Sequence, residues 1–207
     1  MRAETRAVLV ALLALAVGGA APPPGATLES TRALLKRLRA TGRAEAAIET
    51  TVEDPVAGRS RRVRGRLALE LPHRARLDLD GGEILTLRED GGDWLQPGSA
   101  QLLRSGPRSA APALRWSELL LASAPDSVHE RALDGGGFEL RAAGADSAVA
   151  VQRVWLGAGG YPARLEVEDA GGERRTWRLS GWSFGHARGR DAFVLSAPRG
   201  ITVVDLP

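Results

Sequence analysis

From residue 44 onwards the chain keeps returning to one pattern, short runs in which apolar and polar residues alternate with a period of two, cut by glycine-rich turns. That period places successive side chains on opposite faces of a strand. Ala44, Ala46, Ile48, Thr50 and Val52 alternate with Glu45, Ala47, Glu49, Thr51 and Glu53, and Asp54, Pro55 and Gly58 then make a turn. The return run sets Val63, Gly65, Leu67, Leu69 and Leu71 against Arg62, Arg64, Arg66, Ala68 and Glu70, which predicts a hairpin. Ala75, Leu77 and Leu79 continue the pattern, and Gly81-Gly82 and Gly91-Gly92 turn the chain into 83–89 and into a strand carrying Trp94, with a further short strand over 100–105. Beyond Pro125 the alternation predicts strands near 127–133, 138–142, 147–156, 162–169, 173–184 and 192–196. No strand–helix–strand rhythm exists, so the expectation is an antiparallel meander without parallel pairs. Each strand should bury one face only.

About ten such strands cannot lie flat and uncovered, so the sheet must curl. Little is available to cover it. Thr27 caps a helix whose Leu28, Leu34, Leu35 and Leu38 fall at helical spacing and which stops at Gly42, and Leu114, Leu119, Leu120 and Leu121 crowd a second helix over 112–123. A curved sheet with two helices either fills its interior with its own side chains or keeps a cavity. Leucine-rich strands with only 4% aromatics favour a cavity.

Several chemistries are disfavoured. There is no cysteine, hence no disulfide, thiolate metal site or cysteine-borne lipid anchor, and His73, His129 and His186 are too scattered for a metal site. A net charge of +3, with Lys36 the only lysine, is no nucleic-acid footprint. Residues 181–185 read GWSFG and match a nucleophile-elbow pattern around Ser183, but the elbow needs a following helix and a later acid and histidine, and only His186 follows. Gly157-Ala158-Gly159-Gly160 joins two strands and opens no helix, so it is a turn and no phosphate cradle. Asp78, Asp80 and Glu83 read as a solvated face, and the arginine row at 59, 61, 62, 64 and 66 suits either solvent or an acidic partner. No catalytic set and no cofactor is expected.

Residues 1–20 combine Arg2 and Arg6, an apolar run from Ala7 to Val17 and small residues at Gly18 and Ala20, the three-part pattern of a signal peptide. The run is shorter than the roughly 20 residues that span a bilayer. The expected organisation is a leader over 1–20, a proline-rich segment over 21–26 and one domain over 27–207, exported to the periplasm, with an uncleaved membrane anchor as the alternative.

The C-terminal stretch FVLSAPRGITVVDLP, with Phe193, Pro198, Gly200 and Val203-Val204-Asp205, resembles the C-terminal signature of the LolA family of periplasmic outer-membrane lipoprotein carriers. GRLALELPHRARLDL, DGGDWLQP and YPARLEVEDAGGERRTWRLSGWSFG agree with that family's layout in order. The resemblance implies a mainly β, incomplete antiparallel barrel, a curved half-barrel lidded by helices around a hydrophobic cavity. It further implies lipoprotein acyl chains as ligand, an inner-membrane ABC lipoprotein-release transporter as donor, an outer-membrane acceptor, a monomeric carrier and no cofactor. Where that family often has an arginine before the second strand's proline, and an aromatic after it, this chain has Leu71 and Ala75, so a lid lock does not carry over. Leu67, Leu69, Leu71, Leu77, Leu79, Trp94, Leu119, Leu120, Trp177 and Leu179 are the expected cavity residues, the first three sharing one face by alternation. The rival is a sensor or interaction module of the cell envelope on the same fold, which binds lipid or lipoprotein without transporting it.

Overall fold

A computed structural model describes residues 28–54, 59–106, 117, 128–133, 136–142, 149–169 and 174–206. Helix α1 (Leu28–Thr41) leads into β1 (Arg43–Asp54), β2 (Arg59–Glu70), β3 (Arg74–Leu79), β4 (Ile84–Arg88), β5 (Gly91–Gln96) and β6 (Gln101–Ser105). There follow β7 (Val128–Leu133), β8 (Gly137–Ala142), β9 (Val149–Leu156), β10 (Pro162–Asp169), β11 (Arg174–Gly185) and β12 (Thr202–Leu206). All twelve strands form one sheet in the order β12-β6-β5-β4-β3-β2-β1-β11-β10-β9-β8-β7. Its two ends do not meet, so the architecture is mainly β and open, a half-barrel rather than a closed one. The leader and the proline-rich segment lie outside the described residues, as does the expected helix over 112–123 except Ser117, which is helical and buried.

The period-two runs become the strands they predict. β1 pairs with β2 without interruption from Arg43↔Glu70 to Asp54↔Arg59. Gly65 explains a tight place in this hairpin. It sits opposite Ile48 and Leu79, and a Cβ there would fall 2.3 Å from the Asp78 carbonyl oxygen. Helix α1 ends at Gly42, whose φ of +99° suits the left-handed turn that closes a helix, and its N–H donates to the Leu38 carbonyl at 2.7 Å. Leu34, Leu35 and Leu38 of α1 meet Ala44, Ala46, Ile48, Leu67, Leu69, Leu77 and Leu179 in the main core. Each fully buried leucine contributes about 2 kcal/mol.

Three expectations need correction at the C-terminal end. Residues 192–196 are not a strand: Arg190–Phe193 is a 3-10 turn, and 186–201 as a whole forms a strap between β11 and β12. The strap crosses from the middle of the sheet to its far edge, so the chain re-enters in the same direction as β6, and β12 pairs with β6 in parallel. The strap also covers the outer face of β3–β6. There Phe193 and Leu195 are buried, and Leu195 packs with Leu95, Leu102, Ile84 and Ile201 in a second, smaller core. Strands β4 and β5 therefore bury both faces, against the expectation of one.

Three arginines fasten the strap. Arg76, Arg88 and Arg104 donate to the carbonyls of Ala192, Phe193 and Leu195 at 2.8, 2.6 and 3.2 Å. Buried Asp93 accepts from Arg88 and from the Leu195 N–H, both at 2.9 Å. Glu70, fully buried, accepts from the Arg188 N–H at 2.6 Å, and Arg74 lies over the Phe193 ring.

Candidate functional site

The inner face of the sheet is built from continuous apolar rows set by strand register. Ala46, Leu67, Leu77 and Leu85 stand opposite one another across β1–β4, and Ala44, Leu69, Ala75 and Leu87 form the next row. On the other side of β1, Trp177, Leu165, Val154 and Phe138 run across β11–β8. These residues belong to a single core cluster extending from β4 to β8, seven strand positions apart. Among the described residues, α1 packs on only part of this face, against β1, β11 and the Ala158–Gly160 turn.

The expected cavity residues fall into three groups. Leu67, Leu69, Leu77, Trp177 and Leu179 are buried in the cluster. Leu71, Leu79 and Trp94 are half-buried at its margin. Leu119 and Leu120 lie outside the described residues. Trp94 is oriented by its indole N–H, which donates to Glu83 at 2.6 Å. Leu85, Leu87, Phe138, Leu140, Val154 and Leu165 extend the same face and were not singled out from the sequence, although their alternation carries the signal. Tyr161, Trp182 and Phe184 form an aromatic group at the cluster's edge, with Arg37 of α1 over the Phe184 ring.

One residue breaks the apolar pattern. Gln152 of β9 faces inward between Leu140 and Val167 and is fully buried, yet neither its amide nitrogen nor its amide oxygen has a hydrogen-bond partner. A buried polar group left in this way costs about 1–3 kcal/mol.

The outer face is charged and answers to different chemistry. Glu139, buried to 1% exposure, takes Arg131, Arg141 and Arg153 at 3.2, 2.9 and 3.0 Å. Burial opposes its ionisation, but the Arg141 hydrogen bond and the charges of the three arginines outweigh that and hold its carboxyl below the usual glutamate range. Asp90 is likewise held low: partial burial raises it, and hydrogen bonds from Arg190 and Arg88 prevail. A groove of about 930 Å³ crosses this face, lined by Arg64, Arg66, Arg164 and Arg178 together with Glu49, Asp78 and Asp80. Its charges make it a poor receptacle for hydrocarbon.

The dismissed motifs stay apart from any site. Ser183 is an exposed residue of β11, and the strap, with no α-helix, follows it. His73, His129 and His186 are exposed. No cluster of metal-ligating side chains is found among the described residues. Arg74 and Arg76, the residues nearest the missing lid-lock arginine, serve the strap on the outer face: Arg74 bonds the Leu71 carbonyl and lies over the Phe193 ring, and Arg76 bonds Asp78 and the Ala192 carbonyl.

No protein-family pattern and no curated sequence matches the chain. Among solved structures it is similar to an uncharacterized conserved protein from Thermus thermophilus, with 14% identity over 86% of this chain and 99% of that one and a TM-score of 0.47. It is also similar to a LolA superfamily protein from Nitrosomonas europaea, with 10% identity over 83% of this chain and 99% of that one and a TM-score of 0.45.

Proposed function

We propose that the inner face of the half-barrel binds the acyl chains of a lipid or lipoprotein in the periplasm, and that the protein carries them from the inner to the outer membrane. The observation behind this reading is the extent of the leucine-lined face, which runs from β4 to β8 while α1 packs against its middle. A helix of 14 residues is roughly 20 Å long and about 10 Å wide, whereas the eight strands from β4 to β8 at about 4.8 Å span roughly 34 Å.

Apolar surface of this extent matches the ligand's need. Burial of a methylene is worth about 0.8 kcal/mol, so a chain of about sixteen carbons needs on the order of 10 kcal/mol of shelter to cross water. Leu71, Leu79 and Trp94, half-buried at the margin, are the residues that a chain entering the face would meet first. Binding followed by release needs no covalent chemistry, and the protein acts as a carrier rather than an enzyme. The sequence resemblance to the LolA family supplies the donor and acceptor in this reading: an inner-membrane ABC transporter that loads the carrier and an outer-membrane protein that unloads it.

Titration with a fluorescent fatty acid tests the binding step. The wild-type protein binds it with micromolar or better affinity, and Trp94→Ala weakens binding about tenfold, as loss of a large apolar contact at the margin should. Wild-type protein that leaves the fluorophore in water contradicts the reading.

A further inference from the structure

Gln152 is the described residue whose buried amide lacks a partner at both its nitrogen and its oxygen. Native interiors satisfy nearly all such groups, so an exception calls for a reason. Other buried polar side chains of the sheet have partners: Glu139 holds three arginines, Asp93 holds Arg88 and the Leu195 N–H, and Thr50 donates to the Thr176 carbonyl. A leucine at 152 would fill the interior with no polar atom to satisfy, as Leu140 does directly opposite.

The register also says where on the face Gln152 stands. The row Phe138–Val154–Leu165–Trp177 is wholly apolar, and the adjacent row reads Leu140–Gln152–Val167–Arg175, ending on an exposed arginine. Gln152 thus marks the border where the hydrocarbon-lined face gives way to its polar end. A ligand lying along the apolar rows would bring the first polar group of its chain to that border.

We propose that Gln152 reads the linkage at the head of the acyl chain and selects an amide-linked chain. A glutamine amide offers N–H donors and a carbonyl acceptor. A trans secondary amide points its carbonyl and its N–H in opposite directions and so meets one atom of the pair, its carbonyl accepting from Nε2 as a stronger acceptor than an ester's. An ester carbonyl accepts from the same nitrogen more weakly, and a plain hydrocarbon satisfies neither atom. This specificity rests on the acyl-chain reading above and goes beyond it by naming the linkage.

Displacement of phenylnaphthylamine, an apolar fluorescent probe, from the full-length protein separates the two claims. N-methylpalmitamide should displace the probe at about fivefold lower concentration than methyl palmitate, the equivalent of about 1 kcal/mol. Gln152→Leu and Gln152→Met should still bind the probe, reduce the amide preference to less than twofold, and melt at or above the wild-type temperature without ligand. Equal displacement by amide and ester in the wild type overturns the proposal and leaves acyl binding standing. So does a preference that survives in both variants. A lowered melting temperature in both variants also overturns it, because the amide would then be held by the fold or by an ordered water. A probe that fails to bind the wild type removes the acyl-chain reading itself, and this specificity with it.

Discussion

Glu139 and Gly65 illustrate how single residues here carry weight that alternation does not reveal. Alternation assigns Glu139 to the polar face, and so it lies, but three arginine side chains close over it until 1% remains exposed. Its carboxyl is held below the ordinary range, so its contribution is present at neutral pH and is lost as pH falls through the folded-state value. Glu139→Gln is expected to lower unfolding free energy by about 2 kcal/mol at pH 7, with the deficit against wild type closing as pH falls below the ordinary glutamate range, as read by urea titrations across pH. Arg131 and Arg141 are largely exposed, which keeps the figure below that of a fully buried pair. Gly65→Ala forces a Cβ toward the Asp78 carbonyl and is expected to cost about 2 kcal/mol in the same titration, whereas the nearby Arg66→Ala, on the exposed side, should change it by less than about 0.5 kcal/mol.

The strap from 186 to 201 is the element least readable in advance. Phe193 and Leu195 alternate with Ala192 and Val194 just as strand residues do, and Phe193 and Leu195 are buried while Val194 is exposed. What differs is where the backbone carbonyls bond: to the guanidinium groups of Arg76, Arg88 and Arg104 instead of a neighbouring strand, and sequence alone does not show those distant donors. The β1–β2 hairpin was legible because its partners are adjacent in sequence and its alternation runs unbroken on both sides. Replacement of Arg88 by methionine leaves buried Asp93 with only the more distant Arg104, at 4.0 Å, and the Phe193 carbonyl without its donor. Hydrogen exchange of the Thr202 and Val204 amides, which face β6, should then rise at least tenfold, while β1–β2 amides keep wild-type protection. Unchanged exchange in β12 would mean that the strap is held by its apolar contacts alone.

At the scale of the whole molecule, the sequence made an open, curled, mostly antiparallel sheet readable because glycine turns and a period of two recur along most of its length. Of the cavity-face residues expected from it, the described ones gather on or beside one apolar surface. Gln152 went unnoticed, since a single polar residue at an inward position looks like noise until register fixes what surrounds it. The second core under the strap was equally hidden, because Ile84, Leu95 and Leu102 occupy the face that alternation assigns to solvent. The strap covers the outer face of β3–β6, and the inner face gathers its apolar rows into one buried cluster. In the proposed reading the outer face stabilises and the inner face takes the ligand.

Mass spectrometry of the protein purified without denaturant tests the proposed acyl binding most directly. The account predicts near-stoichiometric acylated species, lipids or lipoproteins, that copurify with the wild type and fall at least fivefold in Trp94→Ala. Wild-type protein that emerges free of acyl chains, and remains so after incubation with excess lipid, would contradict it.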